Sequence, residues 1–147
     1  MTSRLSEYLW EDLQVGLKHE FQVSISEEMM TRFRLDTGDT NPLHVDATYA
    51  RENGFDGCVV YGMLVASFYS TLVGVHLPGR YCLLQGANVS FVKPVFVGDH
   101  LSVCGEIVYL NHSYRQAQIS AQISNSDGVV VSKAKLNVGV LTLRGKA

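Results

Sequence analysis

The sequence lacks several features that would indicate particular classes of protein. Its cysteines, Cys58, Cys82 and Cys104, are odd in number and far apart, without the CxxC spacing of a metal or redox site. Free cysteines are commonly buried, so we expect three buried thiols. Twelve Lys and Arg residues against fourteen Asp and Glu residues give a net charge of −2, with no basic block. We therefore expect no nucleic-acid partner.

Two further absences concern location. The first residues lack the apolar core of a secretory signal and lead into Glu7, Glu11 and Asp12, so we expect a cytoplasmic protein. Residues 59–77 are nearly free of charge, but they include tyrosines, serines and glycines and have no basic flank. A membrane span needs about 20 predominantly apolar residues. We therefore predict that this stretch is a helix buried in the protein, with no membrane partner.

The order of predicted elements indicates the fold class. With 147 residues, 46% of them hydrophobic, we predict a single domain over residues 1–147. Capping residues and apolar periodicity predict, in order, a strand over 17–25, a helix starting at Ser26 and ending before Gly38, a loop through Pro42, a short helix over 47–53 and a long helix over 62–75.

The second half of the chain shows the alternation that is typical of strands. We predict strands over 81–92, 101–110, 114–124 and 129–143, with Asp127-Gly128 in a hairpin turn. Short connections make consecutive strands mostly antiparallel. The pattern predicts an α+β domain in which an apolar helix lies against the concave face of an antiparallel sheet.

One loop carries an acid and a base. Asp39 and His44 lie five residues apart across a bend that contains Pro42. Considered alone, they are an ordinary turn residue and an ordinary loop histidine. Together they are the residue types that exchange protons in general acid–base catalysis near neutral pH. A carboxyl that delivers a proton benefits from burial, which we expect Phe33, Leu35 and Leu43 to provide.

Three stretches together resemble the MaoC-like dehydratases, a group that contains the (R)-specific enoyl-CoA hydratases. They are Gly38–His44, Tyr61–Leu64 and Ser90–Asp99, and the likeness extends from about residue 10 to residue 140. The resemblance implies a hot-dog fold, in which about five antiparallel strands surround a central helix. It also implies a homodimer whose two sheets join edge to edge.

The resemblance also implies site residues. It makes Asp39 and His44 the catalytic pair, with the backbone N–H of Gly62 as the oxyanion donor and Ser70 orienting the pair. The substrate would be an α,β-unsaturated acyl thioester of the (R)-3-hydroxyacyl type, carried by coenzyme A or acyl carrier protein. No cofactor beyond that carrier is expected. His44 is the preferred base and Asp39 the preferred acid, although two coupled groups are not separable by sequence.

Two other residues are candidates for the substrate pocket. Asn41 shapes the turn before Pro42. Tyr61 stands where many family members have histidine, and its phenol either contacts the thioester or fills space. The replacement puts substrate preference in question more than catalysis.

Two alternative functions remain open. A thioesterase on the same fold commonly uses a carboxylate from the central helix, but residues 62–75 contain no Asp or Glu. A non-catalytic acyl-binding subunit would not need the Asp39 and His44 pair. No metal site is expected, because His19, His76, His100 and His112 show no paired ligand spacing.

Overall fold

The structure, a computed structural model, describes residues 4–143. Its strands are β1 (Lys18–Ser24), β2 (Cys82–Phe91), β3 (His100–Asn111), β4 (Gln116–Asn125) and β5 (Val130–Val140). Its α-helices are α1 (Glu27–Thr37), α2 (Pro42–Val45), α3 (Ala47–Glu52) and α4 (Gly62–Thr71). A 3₁₀ turn, Trp10–Asp12, precedes β1, and a π-helical turn, Leu72–His76, continues α4. Between residues 4 and 143 no helix is both long and apolar enough to cross a membrane.

The five strands form one antiparallel sheet in the order β1-β3-β4-β5-β2. The predicted Asp-Gly hairpin joins β4 to β5. There the Asn125 side chain accepts hydrogen bonds from the N–H groups of Asp127 and Val129, each at 3.0 Å, and Gly128 takes a left-handed φ of 77°. β1 and β2 are left as the two edges of the sheet.

The core lies between the sheet and the helix α4 with its π turn. Alternate residues of β3 and β4 are buried on the face that meets the helix. Helix side chains such as Val65, Tyr69 and Leu72 belong to the same apolar cluster. The π turn contacts both β1 and β2, the opposite edges of the sheet, because the sheet curves around it. The α+β class and the hot-dog arrangement are therefore confirmed.

Two local predictions differ from the structure. The helix expected over 62–75 is α-helical only to Thr71, and Leu77 then donates to the carbonyl of Leu72, five residues back, at 2.8 Å. This wider turn keeps Leu72, Val73 and Leu77 all buried. The loop expected through Pro42 contains the short helix α2, which proline favours at its first position.

The cysteines also differ from expectation. All three are free, but each is half-buried rather than buried. Cys82 and Cys104 lie on strands at or beside a sheet edge, where one face of the residue reaches solvent.

Candidate active site

The acid-bearing loop begins where α1 ends. Gly38 takes a left-handed conformation, with φ 74°, and its N–H donates to the carbonyl of Arg34 at 2.8 Å. This glycine stops the helix and turns the chain toward Asp39. The Asp39 carboxylate accepts the N–H of Asn41 at 3.1 Å, a local turn that fixes the loop after it.

The base-bearing helix follows at once. The Asn41 side chain caps α2 by accepting the N–H of Leu43 at 2.9 Å, and Pro42 occupies the first helical position. His44 thereby sits on a single turn of helix, and its Nδ1 lies 2.6 Å from the carbonyl oxygen of Val59. A carbonyl only accepts, so Nδ1 carries the proton in the neutral ring and Nε2 keeps its lone pair.

The start of α4 approaches this loop through Tyr61. The phenol is 1% exposed and donates its hydrogen bond to the backbone carbonyl of Asp39 at 2.7 Å. Its ring lies 4.2 Å from the His44 ring and 4.7 Å from the Phe33 ring, centroid to centroid. Burial, with the charge of Asp39 nearby, raises the pKa of Tyr61, so the phenol stays a neutral donor.

Gly62 is the first residue of α4, and no side chain caps this end of the helix. The first N–H groups of a helix have no partner within it and point along the positive end of its dipole. A Cβ at position 62 would lie 3.3 Å from the ring of Phe91, so a side chain would crowd the space beside the amide. The glycine keeps that amide approachable.

Asp39, His44, Tyr61 and Gly62 line one cavity of about 460 Å³. Four of the six site residues singled out in the sequence are thus brought together. The remaining residues that line this cavity are Phe33, Thr37, Met63 and Phe91.

A second, more apolar cavity of about 360 Å³ adjoins the first. Both are lined by His44, Gly62 and Phe91, so the Phe91 ring lies where the two spaces meet. The walls of the second cavity are otherwise mostly valines, with Phe55, Lys93 and Pro94. Its mostly apolar lining suits a hydrocarbon chain, whereas Asp39 and Tyr61 line the first cavity alone.

The other two candidates lie elsewhere. Ser70 is exposed on α4 and lines neither cavity, so its orienting role stays a prediction. Asn41 also lines neither cavity, and its side chain is occupied in capping α2. Its place in a substrate pocket likewise stays a prediction.

The apolar shield expected around Asp39 is only partly present. Phe33 lines the cavity, but Leu35 is 74% exposed and Asp39 itself is exposed. Two residues along an α-helix turn the side chain by about 200°, so Phe33 and Leu35 point to opposite sides of α1. That expectation for Leu35 is wrong.

Sequence reasoning missed two contributors to the site. The Val59 carbonyl orients His44, and a backbone acceptor leaves no signal in residue type. Phe91 lies within the stretch Ser90–Asp99, but nothing in that stretch indicates that its ring would lie beside the Cα of Gly62. Among residues 4–143, no three His, Cys, Asp or Glu side chains come together as metal ligands would.

Comparison with known proteins decides the family. Residues 12–129 match the family described as MaoC like domain. The chain belongs to this family. The match spans the acid–base loop, Gly62 and four of the five strands.

Named relatives agree with the assignment. The chain is 32% identical to an (R)-specific enoyl-CoA hydratase of Aeromonas caviae, over 82% of this chain and 90% of that protein. It is 30% identical to a 3-hydroxybutyryl-CoA dehydratase of Methylorubrum extorquens, over 89% of this chain and 83% of that protein. The unliganded R-hydratase of Pseudomonas aeruginosa superposes with a TM-score of 0.86 at 26% identity, covering 99% of this chain and 97% of that one.

Proposed function

We propose that this MaoC-like chain is a hydro-lyase that adds water to, or removes it from, an α,β-unsaturated acyl thioester of the (R)-3-hydroxyacyl type. The observation that carries the proposal is the cavity that Asp39, His44 and Gly62 share at the start of α4. Family membership and the names of the two relatives support the same class of enzyme.

The proposed reaction assigns one task to each group. The Gly62 N–H binds the thioester oxygen and stabilises the negative charge that develops on it, which makes the β-carbon electrophilic. His44 Nε2, which keeps its lone pair, removes a proton from water as the water oxygen bonds to the β-carbon. Asp39, in its protonated form, delivers a proton to the α-carbon.

One addition leaves an extra proton on His44 and a proton missing from Asp39. Because Asp39 is exposed, exchange with water restores both groups. The reverse sequence of the same steps is dehydration.

We also propose how the substrate lies in the site. The second cavity takes the acyl chain, since its lining is apolar and it meets the first cavity at Gly62 and His44. Coenzyme A or acyl carrier protein is part of this substrate, and the proposed steps need no other cofactor. A cytoplasmic location remains our expectation.

The proposed assembly is a homodimer joined through β2. Exposed side chains of the other edge strand, β1, are polar, such as Lys18, Glu20 and Gln22. β2 instead exposes Leu83, Leu84 and Phe91. Pairing two β2 edges would satisfy their free backbone groups and cover these apolar side chains.

The test follows crotonyl-CoA by the loss of its conjugated absorbance and by free thiol. Absorbance loss without thiol is expected, thiol release would support the thioesterase alternative, and neither signal would favour a non-catalytic subunit.

Asp39→Asn and His44→Ala should each lower kcat by about 10² or more, as acid–base groups typically contribute. Asp36→Asn, an exposed carboxylate three residues earlier on α1, is the matched control and should keep wild-type turnover. Near-native turnover in either site variant contradicts the role given to that residue.

A further inference from the structure

Tyr61 contacts both members of the proposed acid–base pair, in addition to lining the cavity. It is the residue directly before Gly62, it is 1% exposed, and its side chain touches both halves of the loop. The phenol bonds the Asp39 backbone, and the ring packs on the His44 imidazole.

We infer that Tyr61 is a positioning residue, which holds Asp39, His44 and the Gly62 amide in one fixed arrangement. The inference rests on the proposed function. It concerns a residue that the sequence offered only as a candidate for the substrate pocket.

The hydroxyl restrains the acid. Asp39 is exposed and its side chain bonds only the neighbouring amide of Asn41, a local contact that cannot fix the loop relative to α4. The loop is tied to the segment before α4 at Leu43, whose carbonyl accepts the N–H of Val59 at 3.1 Å. For Asp39 itself, the long-range hydrogen bond is the one from the Tyr61 hydroxyl to its carbonyl, at 2.7 Å and across 22 residues of sequence. Because this bond comes from a residue adjacent to Gly62, it restrains Asp39 directly relative to the oxyanion donor.

The ring restrains the base. The Nδ1 bond to Val59 limits where the His44 imidazole sits but still allows it to rock about that bond. The Tyr61 ring, 4.2 Å away and inclined by 32°, covers one face of the imidazole. Phe33 lies 4.7 Å from Tyr61, so the tyrosine has little room to move away. These contacts set the direction of Nε2.

The same geometry separates positioning from substrate binding. A phenol that donates to the Asp39 carbonyl has no second proton for a thioester oxygen. Loss of the hydroxyl should therefore lower kcat and leave KM nearly unchanged. A phenol that bound the substrate in its ground state would show the opposite pattern.

The experiment compares Tyr61→Phe and Tyr61→Leu with Tyr69→Phe, using crotonyl-CoA. Tyr69 is the matched control, since it is a second buried tyrosine, 2% exposed and on α4, whose hydroxyl bonds Ser132 at 2.9 Å in the core. Tyr61→Phe should lower kcat about fivefold to tenfold with KM within about twofold, as loss of one hydrogen bond implies. Tyr61→Leu also removes the ring and should lower kcat by about 10², since misplacement of about 1 Å can cost that much. Tyr69→Phe should keep kcat within about twofold while lowering the thermal midpoint at least as much as Tyr61→Phe does.

Three results would overturn the inference. They are wild-type kcat in Tyr61→Phe, a change confined to KM, and an equal loss of kcat in Tyr69→Phe. Should Tyr61→Leu fail to fold, Tyr61→Phe alone decides, because it keeps the ring and its packing. If Asp39→Asn and His44→Ala abolish turnover while Tyr61→Phe does not reduce it, only the positioning role fails. If those two variants stay active, the proposed function fails first.

Discussion

Gly105, in the middle of β3, sets how closely the sheet approaches the central helix. A Cβ at this position would lie 2.7 Å from Cδ2 of Leu72 and 3.2 Å from Cγ2 of Ile119. Leu72 and Ile119 are both 0% exposed, so neither side chain has open space into which to move. We expect Gly105→Ala to push the π turn, and with it α4, away from the sheet.

The expected size of the effect follows from that overlap. Overpacking a well-filled core by one methyl group typically costs about 1–3 kcal/mol of unfolding free energy. For a chain of this length, that is about 3–9 °C in the thermal midpoint, at about 3 °C per kcal/mol. The sign of the change in unfolding free energy is informative, because alanine without such close neighbours should stabilise a strand relative to glycine by about 0.5–1 kcal/mol.

Thermal and urea unfolding of Gly105→Ala, two further single variants and one double variant would measure this. Gly74→Ala is the matched control: it lies in the same π turn as Leu72, but its Cβ would meet nothing within 4 Å, so we expect no loss of stability. Leu72→Val should partly relieve the overlap, so the double variant with Gly105→Ala should be more stable than additivity predicts, by about 0.5 kcal/mol or more. A Gly105→Ala protein as stable as wild type would refute the close approach of Leu72 to Gly105. Strictly additive free-energy changes in the double variant would refute it as well.

Two further predictions concern the sheet edge and pH. Leu83→Glu should turn the proposed dimer into a monomer by light scattering, whereas Gln22→Glu on β1 should not; a dimeric Leu83→Glu would argue against pairing through β2. Burial, with His19 nearby, lowers the pKa of His76, so the unfolded chain takes up this proton more readily than the folded protein. The unfolding free energy should therefore fall as pH drops below about 6.5, the ordinary value for histidine. His76→Phe, which can keep the stack on Phe21, should flatten that fall in urea unfolding between about pH 5 and 7, and an unchanged slope would contradict the assignment.

Much of the fold was predictable because it depends on local signals. Ser26 and Gly38 bound α1 in the structure as expected, since a capping hydroxyl and a left-handed glycine act within a few residues. The Asp127-Gly128 turn is equally local. The sheet order is not, because β2 pairs with β5 across the whole second half of the chain.

The candidate site divides in the same way. Residue type and spacing singled out Asp39 and His44, the family resemblance added Gly62 and Tyr61, and the wall of one cavity includes all four. Residue type could not tell what the Tyr61 hydroxyl bonds, because its partner is a backbone carbonyl 22 residues away. Residue type likewise could not show that His44 Nδ1 bonds the backbone carbonyl of Val59.

The sequence by itself determined which groups could perform acid–base chemistry and where the strands and most of the helices would form, because both depend on residue type and near neighbours. Only the tertiary structure decided that Leu35 faces solvent and that the Phe91 ring lies beside Gly62. It alone also decided that the Tyr61 side chain links the loop to α4. These are contacts between segments far apart in the chain, and they exist only once the sheet has closed around its helix.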